Sequence, residues 1–197
     1  RALMHGARLK EASLERASIE EADLRRADMR RCRLEGASLS QSDLRGANLG
    51  EGKLRGARLR GARCDEALLT TADLRDANLQ EVDFTGADLD GVDFQGSLYN
   101  ERTIWPEGWS PPDNGYALVP DAYLQAADLE GADLSGADLS RVNLEGANLA
   151  GANLSGANLA GAELVHASLT RANLSGANLE GANLAGANMT WAVLKMA

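Results

Sequence analysis

Bulky apolar residues recur at every fifth position along two long stretches of this chain. This position runs from Met4 to Tyr99 in 20 repeats and from Leu124 to Leu194 in 15 more, and leucine occupies 27 of these 35 places. Alanine lies two positions before the bulky residue in 28 of the 35 repeats. Each repeat therefore contributes one large and one small apolar side chain, separated by polar residues and glycine.

A five-residue period excludes both regular elements as long segments. On a helix, residues five apart are rotated by about 140°, which spreads the leucines around the axis. On a flat strand they fall on alternate faces, which leaves half of them in water. The pattern predicts instead a chain that turns once per repeat, with leucine and alanine pointing to one interior axis. Repeats of this kind stack into a solenoid.

The repeated motif is Ala, Asp or Asn, Leu, a variable residue and often Gly, as in 147–151 and 152–156. This motif resembles the pentapeptide-repeat family, and the resemblance covers residues 2–97 and 122–194. It implies an all-β fold, a right-handed quadrilateral parallel β-helix with four repeats per coil. We expect one solenoid domain over 1–197, with about eight to nine coils interrupted by one loop. The predicted core includes Leu44, Leu49, Phe84, Phe94, Leu149 and Leu154.

The interruption divides the solenoid into N-terminal coils over 2–98, an insertion over 99–121 and C-terminal coils over 122–197. Residues 99–116 contain three of the four prolines and two of the three tryptophans, and proline is incompatible with an ordinary ladder. The insertion either replaces one coil or loops out and packs on the flank of the solenoid. We favour the looped-out arrangement. As a recognition element it would act through exposed aromatic rings, although tryptophans packed on their own scaffold are commoner. The candidate interaction residues are Trp105, Trp109 and Tyr116.

The insertion also resembles one found in many cyanobacterial pentapeptide-repeat proteins. The resemblance lies in an aromatic residue followed by Asn, then Thr, then Trp-Pro-x-Gly, and a later Gly before the repeats resume. It concerns lineage more than activity. The coil before the insertion carries large residues in both apolar positions, from Val82 to Phe94, and we expect it to be wider than the others. The residues that carry the resemblance are Tyr99, Asn100, Thr103, Trp105, Pro106, Gly108 and Gly115.

Charge is divided unevenly between the two halves of the chain. Residues 1–102 hold 17 Lys and Arg and 19 Asp and Glu, net −2, whereas residues 103–197 hold 3 and 10, net −7; the two sum to −9. A belt of five cations is a candidate site for an acidic partner. The simpler interpretation is a solvated face with weak ion pairs. The belt consists of Lys53, Arg55, Arg58, Arg60 and Arg63.

The C-terminal repeats are rich in asparagine at the position before leucine. Residues 20 apart lie above each other when a coil holds four repeats. Asn153 then stacks with Asn173, and Asn158 with Asn178. Because each amide has a donor and an acceptor, we predict side-chain ladders between coils, with a structural role.

The sequence offers little for catalysis or metal binding. Cys32 and Cys64 fall at interior positions too far apart for a disulfide, and His5 and His166 are well separated. We find no nucleophile triad or phosphate loop, so we expect no enzyme, no metal and no cofactor. No apolar run is long enough to span a membrane. No signal peptide is visible, although the chain opens at Arg1 in mid-repeat; a cytoplasmic location is favoured but not settled.

These observations favour a non-enzymatic scaffold that binds an unidentified protein partner, with no nucleic acid and no membrane. The alternative is an acidic DNA mimic acting on DNA gyrase, which the family resemblance suggests. A net charge of −9 imitates poorly the roughly 24 charges of a ~40 Å duplex. A further hypothesis concerns the final stretch 188–197, which presents Trp191, Val193 and Met196 where polar residues are usual. This apolar stretch either forms an end-to-end homodimer or docks on residues outside the given chain.

Overall fold

The computed structural model describes residues 2–197, which form two compact units. The first unit ends at Tyr116, and the second runs Ala117–Ala197. Two strands are formed, β1 over Leu98–Tyr99 and β2 over Tyr116–Ala117, and they pair in a two-stranded sheet. The rest of each unit is held by single parallel bridges and turns. Among residues 2–197 there is no helix, and hence none that could cross a membrane.

Parallel bridges join residues that lie 20 apart in both units. In the first unit, one such ladder runs from Leu3 through Asp23, Asp43 and Arg63 to Asp83. In the second unit, equivalent ladders connect residues such as those at 153 and 173. A step of 20 residues corresponds to four pentapeptides, so each turn of the chain contains four repeats, as the family resemblance implies.

In residues 23–27, every backbone N–H has a defined acceptor. Three of these N–H groups donate to carbonyls of neighbouring coils, and the Ala27 N–H donates to the Leu24 carbonyl at 3.0 Å, which closes a turn. The remaining N–H, of Arg25, donates to Oδ1 of Asp23 at 3.3 Å. This Asx interaction explains the Asp or Asn before the leucine, because a short side chain with a terminal acceptor can reach that N–H.

The residue before the alanine of each repeat has a left-handed backbone conformation. Its φ is 62° at Gly46 and 55° at Arg26, and a positive φ at the third turn residue is typical of a type II β-turn. Glycine adopts this conformation without strain, whereas residues with a Cβ do so at a cost. Glycine is therefore frequent at this position of the motif because the turn requires a positive φ there.

The cost of left-handed residues can be measured in the second unit. Ala126 has a φ of 55°, so we expect Ala126→Gly to raise the free energy of unfolding by about 0.5–1 kcal/mol. In the neighbouring repeat, Gly131→Ala should lower it by a similar amount, since no atom lies within 4 Å of the added Cβ and only the φ of 66° opposes it. Urea unfolding followed by circular dichroism measures both changes.

Ala150→Gly is the matched control, because Ala150 occupies the preceding turn position and is outside the left-handed set. There the glycine should destabilise by about 0.5–1 kcal/mol through chain entropy. Shifts of the same sign for Ala126→Gly and Ala150→Gly would contradict this account of the turn.

The core of each unit consists of a leucine column with an alanine column beside it. Phe84 is fully buried at one bulky position, and Phe94 is 3% exposed at another. Complete burial of a leucine side chain contributes about 1.5–3 kcal/mol relative to exposure. Both cysteines are buried and free. The other four nominated core residues, Leu44, Leu49, Leu149 and Leu154, are fully buried as well.

Candidate interaction site

The insertion begins by continuing the ladder of the first unit. Ile104 pairs with Asp83 in a parallel bridge, and its carbonyl accepts the Phe84 N–H at 2.8 Å. The step from 83 to 104 is 21 residues, whereas the other isolated bridges join residues 20 apart. Buried Thr103 occupies the small-residue position, where its Oγ1 donates to the Leu79 carbonyl at 2.9 Å. The first part of the insertion thus follows the existing coil with one extra residue.

A second attachment lies near the end of the insertion. The Tyr116 N–H donates to the Ser97 carbonyl at 2.7 Å, next to the pairing of β1 with β2, and the Gly96 N–H donates to the Asn114 carbonyl at 2.8 Å. Between the two attachments, the Trp109 N–H closes a turn onto the Pro106 carbonyl at 3.0 Å. Gly108 in this turn has a φ of 76°. The turn sets the position of Trp109.

Three aromatic rings stack from the core to the surface. Trp105 stacks on Phe84 with ring centroids 5.5 Å apart and planes at 17°. Trp109 stacks in turn on Trp105 at 5.7 Å and 18°. The edges of this stack are closed by Phe94, which meets both tryptophans, and by Tyr99, which meets Trp105. We call these five residues the aromatic cluster.

The aromatic residues nominated from the sequence have different environments. Trp105 is half-buried and packs against the core of the first unit. Tyr116 is half-buried and is held through its backbone. Trp109 is 40% exposed. The structure thus brings Trp105 and Trp109 together and leaves Trp109 as the more accessible ring.

The cationic belt is largely neutralised by nearby carboxylates. Arg55 pairs with Asp76 at 2.9 Å, and Arg60 with Glu81 at 2.9 Å. Arg63 is 3.7 Å from Asp65. Lys53 and Arg58 are exposed. These pairs favour the interpretation of the belt as a solvated, ion-paired surface, so it is a weaker candidate for binding an acidic partner.

A repeated ion pair was not anticipated from the sequence. An Asp before the bulky residue and an Arg after it lie two residues apart, on the same side of the strand. In the pair formed by Asp28 and Arg30, Nε of Arg30 donates to Oδ1 of Asp28 at 2.8 Å, and Nη2 of Arg30 donates to Oδ2 at 2.7 Å. The Asp-x-Arg spacing was the available signal. We call these four pairs the aspartate–arginine staples: Asp23 with Arg25, Asp28 with Arg30, Asp43 with Arg45, and Asp73 with Arg75.

The staples make a pH-dependent contribution to stability. The hydrogen bonds from Arg30 hold the pKa of Asp28 at about 2, below its ordinary value of 3.8. A carboxyl whose pKa is lowered by folding stabilises the folded state above its unfolded pKa, and this stabilisation is lost as the pH falls through the folded pKa. For Asp28 the loss therefore falls between about pH 4 and pH 2.

We expect Arg30→Gln to return the pKa of Asp28 towards 3.8, because the bidentate partner is removed. The variant should also lose less stability than the unmodified protein between pH 4 and pH 2. Titration of the Asp28 carboxyl carbon by NMR and urea midpoints at pH 6, 4 and 2 measure both effects. Arg26→Gln is the control and should leave the Asp28 titration unchanged; an equal change in both variants would contradict the assignment.

The asparagine ladders predicted for the second unit are confirmed. Asn173 Nδ2 donates to Oδ1 of Asn153 at 3.2 Å, and Asn178 Nδ2 donates to Oδ1 of Asn158 at the same distance. The ladder extends to Asp133, whose Oδ1 accepts from Asn153 at 3.2 Å. The polar surface of these repeats is engaged in contacts between coils.

Exposed apolar residues lie in the last repeats of the second unit. Trp191 is 78% exposed and Met196 87% exposed, and both have a positive φ. Val193 and Leu194 are about half exposed beside them. For metal binding, residues 2–197 contain no suitable group of three or more His, Cys, Asp or Glu side chains.

The repeated turns, the 20-residue ladders and the leucine column define a β-helix built from five-residue repeats. The chain belongs to the pentapeptide-repeat family, and each repeat segment is a right-handed β-helix of that family. The family model, described as pentapeptide repeats, matches in eight copies. The copies fall within residues 1–36, 22–61, 57–96, 121–156, 137–176, 152–190 and 172–195.

Solved structures of related proteins include two from the cyanobacterium Nostoc. HetL from Nostoc sp. strain PCC 7120, a pentapeptide repeat protein involved in heterocyst differentiation regulation, is 33% identical; the match covers 98% of this chain and 89% of HetL, with a TM-score of 0.37. The pentapeptide repeat protein alr5209 from Nostoc PCC 7120 is 31% identical over 56% of this chain and 78% of its own, with a TM-score of 0.30.

A more distant similarity is to QnrB1, a plasmid-mediated fluoroquinolone resistance protein. A trypsin-treated form of it is 16% identical over 95% of this chain and 89% of its own, with a TM-score of 0.37. None of the curated proteins matches the chain. Because these superpositions are loose, membership of the family rests on the sequence matches.

Proposed function

We propose that this protein is a non-enzymatic scaffold that binds a protein partner through its aromatic cluster. The observation that carries the proposal is the stack of Phe84, Trp105 and Trp109, which extends from the core to an exposed ring. Tryptophan is enriched at binding hot spots because it offers a large contact area with few rotatable bonds. The stack adds preorganisation, which lowers the entropy lost on binding.

The scaffold role draws its support from the repeats. Nearly every regular position is occupied by a side chain that serves the core, the turn or a contact between coils. In pentapeptide-repeat proteins, structural and interaction roles are general. The quadrilateral cross-section, the total of eight to nine coils and the division at 99–121 stay predictions, which an experimental structure of the full chain would test.

Trp109→Ala should abolish partner binding while leaving the fold intact, because the ring is the outer member of the stack. Affinity capture from an extract of the source cells, with quantitative mass spectrometry, compares the variant with the unmodified full chain. Tyr123→Ala is the matched control, since it removes an exposed aromatic side chain outside the aromatic cluster. We expect at least a tenfold loss of captured partner for Trp109→Ala alone. Recovery of the same proteins by both variants would count against the role of the cluster.

The gyrase hypothesis draws less support from the charges. In the first unit, four aspartates are held in staples with arginine, which reduces the uncompensated negative charge of the surface. A DNA mimic needs such charge along its length. A supercoiling assay with micromolar protein discriminates between the two roles: inhibition or protection of gyrase would favour the mimic.

We also propose an end-to-end homodimer through the exposed apolar residues around Trp191. Exposed apolar patches of this kind are often covered in an assembly. Sedimentation equilibrium of the full chain should detect a dimer, and Trp191→Ser should shift the equilibrium to monomer. A strict monomer at high concentration would rule the dimer out.

A further inference from the structure

We propose that the outer face of Trp109 binds a cationic side chain, arginine or lysine, of the protein partner. The inference rests on the proposed function and specifies the chemistry of the partner. One face of the Trp109 ring stacks on Trp105, and Phe94 meets it at 63° with centroids 5.6 Å apart. Within residues 2–197 no further ring stacks on Trp109, and the side chain is 40% exposed. The face of an indole carries negative electrostatic potential and attracts cations.

The insertion that carries this ring has an excess of negative charge. Residues 99–121 hold four carboxylates and one cation, Arg102. Asp121 is paired with Arg141 at 2.7 Å. Across the described chain, the ion pairs shorter than 4.0 Å do not involve the other three carboxylates. These three, all exposed, are Glu101, Glu107 and Asp113.

Two of these carboxylates lie in segments that contact the aromatic cluster. Glu107 lies two residues before Trp109 in the sequence, inside the turn that the Trp109 N–H closes by donating to the Pro106 carbonyl. Asp113 lies two residues before Gly115, which packs against the Tyr99 ring. Burial and then the charge of Asp113 raise the pKa of that phenol. Tyr99 in turn meets Trp105 edge-on at 5.7 Å. Glu107 therefore belongs to the turn that carries Trp109, and Asp113 to the segment that packs on Tyr99.

Several kinds of side chain can pack on the face of a tryptophan, and the negative charge of the insertion favours a cationic one. An apolar or proline side chain would cover the ring but leave the carboxylates without counter-charges. An anionic segment would be repelled by them. Arginine satisfies both features at once, because its planar guanidinium stacks on an aromatic face and donates hydrogen bonds to carboxylates.

Two peptides that differ only in charge test the proposal. The probes are a Gly-Arg-Gly-Arg-Gly peptide and the same peptide with citrulline, a neutral analogue with a similar shape, in place of arginine. The full chain is titrated with each at low salt, and the indole N–H resonance of Trp109 is followed by NMR. We expect the arginine peptide to bind about two- to fivefold more tightly. The difference should shrink in 1 M salt because exposed charges are screened.

Three variants locate the effect. Binding to the two Trp109 variants, which lack that indole, is followed through the neighbouring Trp105 resonance. Trp109→Leu should remove the binding of the arginine peptide, whereas Trp109→Phe should keep a reduced preference for it. The double variant Glu107→Gln, Asp113→Asn should bring the two peptides closer in affinity. The Trp191 indole resonance serves as the internal control and should move little, and circular dichroism checks that each variant folds.

Equal affinity for the two peptides, absence of binding, or binding retained in Trp109→Leu would overturn the inference. The capture experiment distinguishes failure of the cationic-ligand proposal from failure of the proposed function. Partner capture that depends on Trp109, together with equal peptide affinities, would overturn the cationic ligand and leave the interaction role standing. A preference for arginine without any dependence of capture on Trp109 would overturn the interaction role of the cluster and, with it, the assignment of this cation to a partner.

Discussion

Replacing Phe84 by alanine is expected to lower the free energy of unfolding of the first unit by about 3–5 kcal/mol. The side chain is fully buried, so its removal both loses burial and leaves a cavity in a column where neighbours cannot fully collapse. Because Trp105 stacks on Phe84 at 5.5 Å, the substitution should also loosen the aromatic cluster. Tryptophan emission should shift to longer wavelength and partner capture should fall, although Phe84 itself is inaccessible to a partner.

Phe84→Leu separates these two effects. Leucine is the usual residue at this position, so the core should stay filled at a cost below about 1.5 kcal/mol. The ring contact with Trp105 is nevertheless lost, and the emission shift should persist in part. Urea unfolding, followed by circular dichroism and by tryptophan fluorescence, measures stability and ring environment together. Similar destabilisation by the alanine and leucine variants would show that Phe84 does not fill the core in the way described.

Two adjacent leucines should lose very different amounts of stability on the same substitution. Leu69 lies in the bulky column and is fully buried, whereas Leu68 occupies the bridge position and is 43% exposed. We expect Leu69→Ala to cost about 2–5 kcal/mol of unfolding free energy. Leu68→Ala should cost less than about 1 kcal/mol, because little apolar area is removed from the interior. Chemical denaturation of both variants measures the contrast.

This comparison holds the amino acid, the sequence neighbourhood and the coil constant. Only the direction of the side chain differs between the two positions. Equal losses at Leu68 and Leu69 would mean that the five-residue period does not set which side chains form the core. A larger loss at Leu68 would place the interior on the opposite side of the strand.

The repeating part of the fold could be predicted because one physical requirement recurs in every pentapeptide. The leucine column, the alanine column and the stacking of Asn153 with Asn173 all follow once residues 20 apart are superimposed. The insertion could not be predicted in the same way. Its extra residue before Thr103 breaks the count, and the order in which Trp105 and Trp109 stack depends on contacts that no period encodes.

The charged surface shows a different limit of sequence reasoning. Superimposing residues 20 apart finds vertical neighbours, whereas Arg55 and Arg60 pair with acids 21 residues away, on a diagonal. The aspartate–arginine staples lie within a single repeat and escape a search for vertical pairs altogether. They could have been found from the rule that alternate residues on a strand share one face.

The 20-residue ladder also restricts how the length of such a protein can change during evolution. Loss of one coil removes four repeats, so every later residue still lies in the same column of side chains as before. Loss of a single pentapeptide keeps every later leucine in the interior but moves every later side chain to the next side of the coil. Side chains that form amide ladders or ion pairs between coils would then be separated from their partners. Lengths within a repeat segment should therefore vary by whole coils, with departures tolerated beside an interruption such as the one before Ile104.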